Sequence, residues 1–196
     1  MKTPTLLILG LLSGLGSTGL LWGQSPKPSG GPGEALAPRP FQGRRAVLTH
    51  SIEIDASPDR VFPLLCPVRE GEWAEGWMGR PIYSISGVSE ENAVFETEHE
   101  GGIKTLWFVV NLDPKRHVNE LVYWMPEGQL VRLHMRVSAL GPQKSKIDVK
   151  YIRTSLSEQG NQSLQKAEAH FLEMMAEWQA SLNHFVTTGR MLRAGS

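Results

Sequence analysis

From Ser163 to Val186 the chain contains neither Gly nor Pro, and Leu164, Phe171, Trp178 and Phe185 return every seven residues. Ala167, Met174, Met175 and Leu182 widen that stripe. The spacing predicts a long amphipathic helix with one strongly apolar face. Gly189 is its expected stop, because glycine closes a helix in left-handed backbone without strain. Such a helix has to bury its stripe against another layer.

The sequence before it supplies that layer. Val47 to Ile54 alternates, with Leu48, His50, Ile52 and Ile54 on one face, which predicts a half-buried strand. Ser57 and Pro58 then read as the N-cap and first position of a short helix carrying Val61, Phe62, Leu64 and Leu65. Pro67 closes it, and a second short helix is expected around Arg69 to Trp73. Six β-type runs follow: 82–86, 93–99, 103–112, 118–125, 130–140 and 144–154. Short breaks rich in Gly, Pro, Asp and Glu separate them. Short turns between successive runs predict an antiparallel meander rather than βαβ units. The fold class expected is α+β, a curved antiparallel sheet wrapped around the C-terminal helix.

The N-terminus is a separate piece. Lys2 precedes an apolar run from Leu6 to Trp22 interrupted by small residues. This pattern describes a secretory signal peptide over residues 1–24, with an uncleaved N-terminal anchor as the alternative. Residues 25–43 are rich in Pro, Gly and Ser and read as a linker. Cleavage would leave an exported protein, in the periplasm or cell envelope. Membrane contact is then expected only through that segment if it is retained.

Composition narrows the functions. Twenty Lys and Arg balance twenty Asp and Glu, so no basic surplus invites nucleic acid. A single cysteine, Cys66, excludes an intramolecular disulfide and any CxxC site. It sits before Pro67 with only Arg69 nearby to favour a thiolate, and it reads as a small buried hydrophobe.

The order of elements, and the text Ile54-Asp55-Ala56-Ser57-Pro58-Asp59-Arg60-Val61-Phe62, resembles the START-like superfamily, also called SRPBCC or Bet v 1-like. Leu65-Cys66-Pro67-Val68-Arg69-Glu70, with Trp73, Gly76 and Trp77, and the stretch Thr154 to Asn161 resemble one bacterial branch of it. The resemblance spans residues 44–189, leaving 190–196 as a tail. It implies a helix-grip fold enclosing a hydrophobic cavity. Members bind lipids, sterols and other apolar molecules; some are polyketide cyclases or aromatases, and some activate a chaperone ATPase.

A pocket between the sheet and the long helix would be mostly apolar with a few orienting polar groups. Its candidate lining is Trp107, Val109, Trp124, Met135, Tyr151, Phe171, Met174, Met175 and Trp178, with His50 as a possible hydrogen-bond donor or acid/base. The same residues would serve equally as filling of a closed core. Arg69, Glu70, Trp73 and Trp77 form a dense cluster that either frames the cavity mouth, an Arg–Glu pair holding a lid, or pins the short helices to the sheet. His50, His99 and His134 fall on separate strands without HxxxH or HExxH spacing, so neither metal nor cofactor is expected. The function expected is binding or carriage of an apolar small molecule, whether lipid, sterol-like or aromatic. The alternative is a cyclase- or aromatase-like enzyme, which needs at least two polar groups in the pocket, His50 and Tyr151 first. A chaperone-binding module ranks third, because export removes it from its ATPase.

Overall fold

The structure, a computed structural model, describes residues 41–99 and 102–193. The expected leader and nearly all of the linker lie outside the described residues, as does the end of the tail. Seven strands follow one another in antiparallel pairing: β1 (Arg45–Ile54), β2 (Met78–Tyr83), β3 (Val94–His99), β4 (Ile103–Asp113), β5 (Val118–Met125), β6 (Gln129–Gly141) and β7 (Lys144–Ser155). Their order in the sheet is β1-β7-β6-β5-β4-β3-β2. The meander thus runs from β2 to β7, and β1 adds to its far edge. Between β1 and β2 lie helix α1 (Pro58–Val61) and 3₁₀ turns at Phe62–Leu65 and Arg69–Glu72. Helix α2 (Glu158–Thr188) closes the fold and lies against β1, β7 and β6.

The curved sheet gripping one long helix is the expected architecture, with two local differences. Helix α2 begins five residues before Ser163, capped by Ser157, whose hydroxyl accepts from the Gly160 amide at 3.0 Å. Gly160 reads as a break in sequence, yet it sits in the first turn because its bare Cα abuts the Gly128 carbonyl. The first meander strand is Met78–Tyr83 rather than 82–86. Gly79 sets this register, since only a residue without Cβ can lie against the Pro67 carbonyl.

Alternation fixes the inner face. On β7, Ser145, Ile147, Val149, Tyr151, Arg153 and Ser155 are buried, while the intervening residues are partly or fully exposed. Helix α2 answers with Leu164, Phe171, Met175, Leu182 and Val186, all buried. Burying one large aliphatic or aromatic side chain of this kind is worth about 1.5–3 kcal/mol. The C-terminal half of α2 is also tied to the edge strand by hydrogen bonds. Asn183 accepts from the Asp55 amide at 2.8 Å and donates to the Glu53 carbonyl at 2.9 Å. Gln179 accepts from the Glu53 amide at 3.2 Å. Helix side chains therefore satisfy backbone groups that an edge strand leaves open.

Candidate functional site

Register carries five inner-face residues into one row across the sheet. Phe95 pairs with Trp107, Trp107 with Tyr123, Tyr123 with Val131, and Val131 with Arg153. The row is aromatic at one end and cationic at the other. A chain of hydrogen bonds follows it. The Trp107 indole N–H donates to Thr97 Oγ1 at 2.8 Å, and the indole stacks on Tyr123 with centroids 4.0 Å apart. The Arg153 guanidinium donates to the Tyr123 hydroxyl at 3.3 Å and to Gln129 Oε1 at 3.2 Å. Gln129 donates onward to Ser163 Oγ at 2.7 Å, reaching the second turn of α2. Tyr151 lies one step along β7, its ring 5.3 Å from the guanidinium carbon, and Phe171 of α2 meets it edge-on at 6.0 Å.

Glu70 adds a carboxyl from the second 3₁₀ turn and is only 3% exposed. Burial raises its pKa to about 8 and holds it as the neutral acid near pH 7. Burial also lifts both tyrosine hydroxyls above their ordinary range; Arg153 works against that shift and Glu70 adds to it. Both phenols therefore stay protonated at neutral pH. The interior thus offers a neutral carboxyl, two phenols, a carboxamide and a permanent cation beside a wall of indole and phenyl rings.

The remaining candidates divide. Val109, Met135 and Met175 are fully buried in the inner layer, and Trp178 packs on its border against Trp73, edge-on at 5.6 Å. Met174 is partly buried beside them. Trp124 is a correction: it is 47% exposed and faces away from α2, opposite the equally outward Leu106 and Leu130. Strand parity decides this, because Tyr123 takes the inward position. His50 has inward parity, and its ring meets Phe171 at 6.4 Å, but it is exposed, unlike Ile52 and Ile54 further along the same strand. It stands at the rim rather than inside.

The short-helix cluster also differs from the expectation of an Arg–Glu lid pair. Arg69 binds Glu72, not Glu70, at 2.7 and 2.9 Å. In a 3₁₀ turn residues i and i+3 eclipse, which brings 69 and 72 together and leaves Glu70 to point inward with Trp73. Trp73 is 1% exposed and donates to the Leu64 carbonyl at 3.0 Å. Trp77 donates to the Pro67 carbonyl at 2.7 Å and packs on Trp107 at 5.8 Å. Both indoles pin the short turns in place, and Trp77 joins them to the aromatic end of the row. Cys66 is buried, and its sulfur accepts from the Ser89 amide at 3.2 Å.

Two clefts flank these elements. One, of about 600 Å³, follows the seam between α2 and residues 73–75, just after the second 3₁₀ turn, and is bounded by Trp73, Met174 and Trp178. The other, of about 280 Å³, lies between the first 3₁₀ turn and the β4–β5 end, beside Phe62, Cys66 and Leu112. Sequence reasoning did not select Tyr123 or Arg153. Parity with Tyr151 on the same strand is the sequence signal for Arg153, whereas the face of Tyr123 follows only from its register with Trp107 on the neighbouring strand.

No family model matches the chain, and no curated protein matches it in sequence. Solved structures do match in fold. Norcoclaurine synthase from Thalictrum flavum, in complex with dopamine and hydroxybenzaldehyde, superposes with a TM-score of 0.55 at 12% identity. That match covers 74% of this chain and 88% of that one. The Zhui aromatase/cyclase from Streptomyces sp. R1128 gives 0.58 at 11% identity, over 76% of this chain and all of the other. Ara h 8.0201 gives 0.54 at 12% identity, over 74% and 100%.

Proposed function

We propose, from the premise that this chain carries the helix-grip fold of the START-like (SRPBCC, Bet v 1-like) superfamily, that it binds and carries a hydrophobic small molecule between the sheet and α2. The observation that carries this reading is the inner-face row itself. A core built only for stability gains little from burying the Arg153 guanidinium and the Glu70 carboxyl behind a wall of aromatic side chains, because a buried charge without a counter-charge and a buried acid without a cation both cost free energy. Ligand sites combine the two: apolar walls for affinity and a few fixed polar groups for orientation. Solved proteins of the same fold include an aromatase/cyclase and an enzyme holding two small aromatic molecules, which supports the reading by analogy of fold alone. Export through the N-terminal apolar run would place the carrier outside the cytoplasm.

A second reading, a cyclase-like enzyme, draws on one observation. Glu70, with a pKa of about 8, can give or take a proton near neutral pH beside two buried phenols. Native mass spectrometry of the full chain, expressed with its N-terminal segment and not delipidated, tests the carrier. A co-purifying small molecule and a mass lacking residues 1–24 are expected. A bare protein that also takes up neither lipid nor polyaromatic probe would overturn the reading.

A further inference from the structure

Among the described residues, Arg153 is the one arginine or lysine buried on the inner face, and guanidinium groups in general stay charged at every pH a cell meets. Its recorded partners are the Gln129 carboxamide and the Tyr123 hydroxyl, both neutral. Among the described residues no carboxylate lies within ion-pair distance of it. Glu70 does not fill that place: it makes no ion pair with Arg153, and its burial favours the neutral acid. A buried guanidinium without an anion is a costly arrangement. It has five N–H donors, and two acceptors are recorded for them.

Arg153 is also the most accessible of the inward residues of β7. Along the inward side of β7, exposure is 0% at Ile147, 2% at Val149 and 3% at Tyr151, then rises to 9% at Arg153 before falling at Ser155. The Tyr123–Trp107 stack extends from it along the row, a flat apolar surface beginning at the cation. The fixed Tyr123 and Gln129 contacts hold the guanidinium plane, and a held plane suits the two parallel N–H donations that a carboxylate accepts.

We infer that the ligand of this site is an amphipathic acid, its carboxylate on Arg153 and its apolar body along Trp107, Tyr123 and Phe171. The inference rests on the proposed function and names the ligand class for it.

The test uses the full-length protein at pH 7 and the neutral fluorophore N-phenyl-1-naphthylamine, which reports apolar binding irrespective of charge. Two matched pairs compete for it: dodecanoate against dodecanol, and 2-naphthoate against 2-naphthalenemethanol. At least one acid is expected to displace the probe about tenfold or more better than its alcohol, as a hydrogen-bonded charge pair warrants. The preferred pair tells a flexible chain from a flat ring. In Arg153→Gln the acid-to-alcohol ratio is expected to fall to about one, and Arg153→Lys to restore part of it. A ratio inside one protein is unaffected by a general loss of affinity. If either variant fails to fold, the wild-type ratio still decides. Probe binding with equal displacement by acid and alcohol in both pairs would overturn this inference alone. No saturable probe signal would overturn the carrier reading, and this inference with it.

Discussion

The guanidinium of Arg153 reaches the hydroxyl of Tyr123 at 3.3 Å across the intervening strand β6. That one contact joins a buried cation to the aromatic stack on Trp107, and through Gln129 the cation is held to helix α2. Polar groups therefore bridge both layers of the grip instead of lying scattered in it.

Glu70 gives a pH signature. Its native carboxyl keeps a proton up to about 8, whereas the unfolded chain releases it near 4.5. The native state then binds more protons over that window, so stability falls as pH rises through it, on the order of a few kcal/mol in total. Denaturant unfolding of Glu70→Gln from pH 5 to 8 should lack this decline and exceed wild type at pH 8.

Trp73 should behave as a pin. Trp73→Phe keeps most of the apolar volume but removes the donor to Leu64, leaving a buried carbonyl unpaired. A loss of about 1–3 kcal/mol in urea unfolding is expected.

Gly160→Ala separates local propensity from packing. Helix propensity alone favours Ala by about 1 kcal/mol. A Cβ at this position overlaps the Gly128 carbonyl, so the structure predicts a net loss, about 1–3 kcal/mol by the usual cost of overpacking. Thermal unfolding gives the sign.

Trp124 and Phe171 should differ in binding although both are large aromatics. Trp124→Ala removes a side chain from the outward face and should leave probe affinity within about twofold. Phe171→Ala strips the helix side of the site and should weaken it about tenfold or more, in keeping with the worth of a buried aromatic.

Much of this architecture is legible in the sequence, because periodicity reports directly on burial. The Leu164–Phe171–Trp178–Phe185 spacing identifies α2, and turn residues delimit the meander. The site is less legible. Trp124 looks like pocket lining by residue type, and only the register shared with Leu106 and Leu130 turns it outward. Arg153 looks like a solvated charge, although it keeps the inward parity of Tyr151. Glu70 looks like the partner of Arg69 until a 3₁₀ turn pairs residues 69 and 72 instead. In each case tertiary pairing overrides what residue type suggests, and polar groups that defy their usual placement are where a functional site is expected.

On the proposed function, an apolar ligand enters the layer between the sheet and α2. Methionine methyl groups report this by NMR, because Met135 and Met175 are fully buried there while Met78 is 62% exposed on β2. Protein labelled with ¹³C at methionine methyls would be titrated with N-phenyl-1-naphthylamine, whose rings shift nearby resonances. Saturable shifts are expected at Met175 and Met135 at one equivalent, with Met78 unmoved. Shifts confined to Met78, or unchanged Met135 and Met175 resonances at saturation, would contradict the proposed function.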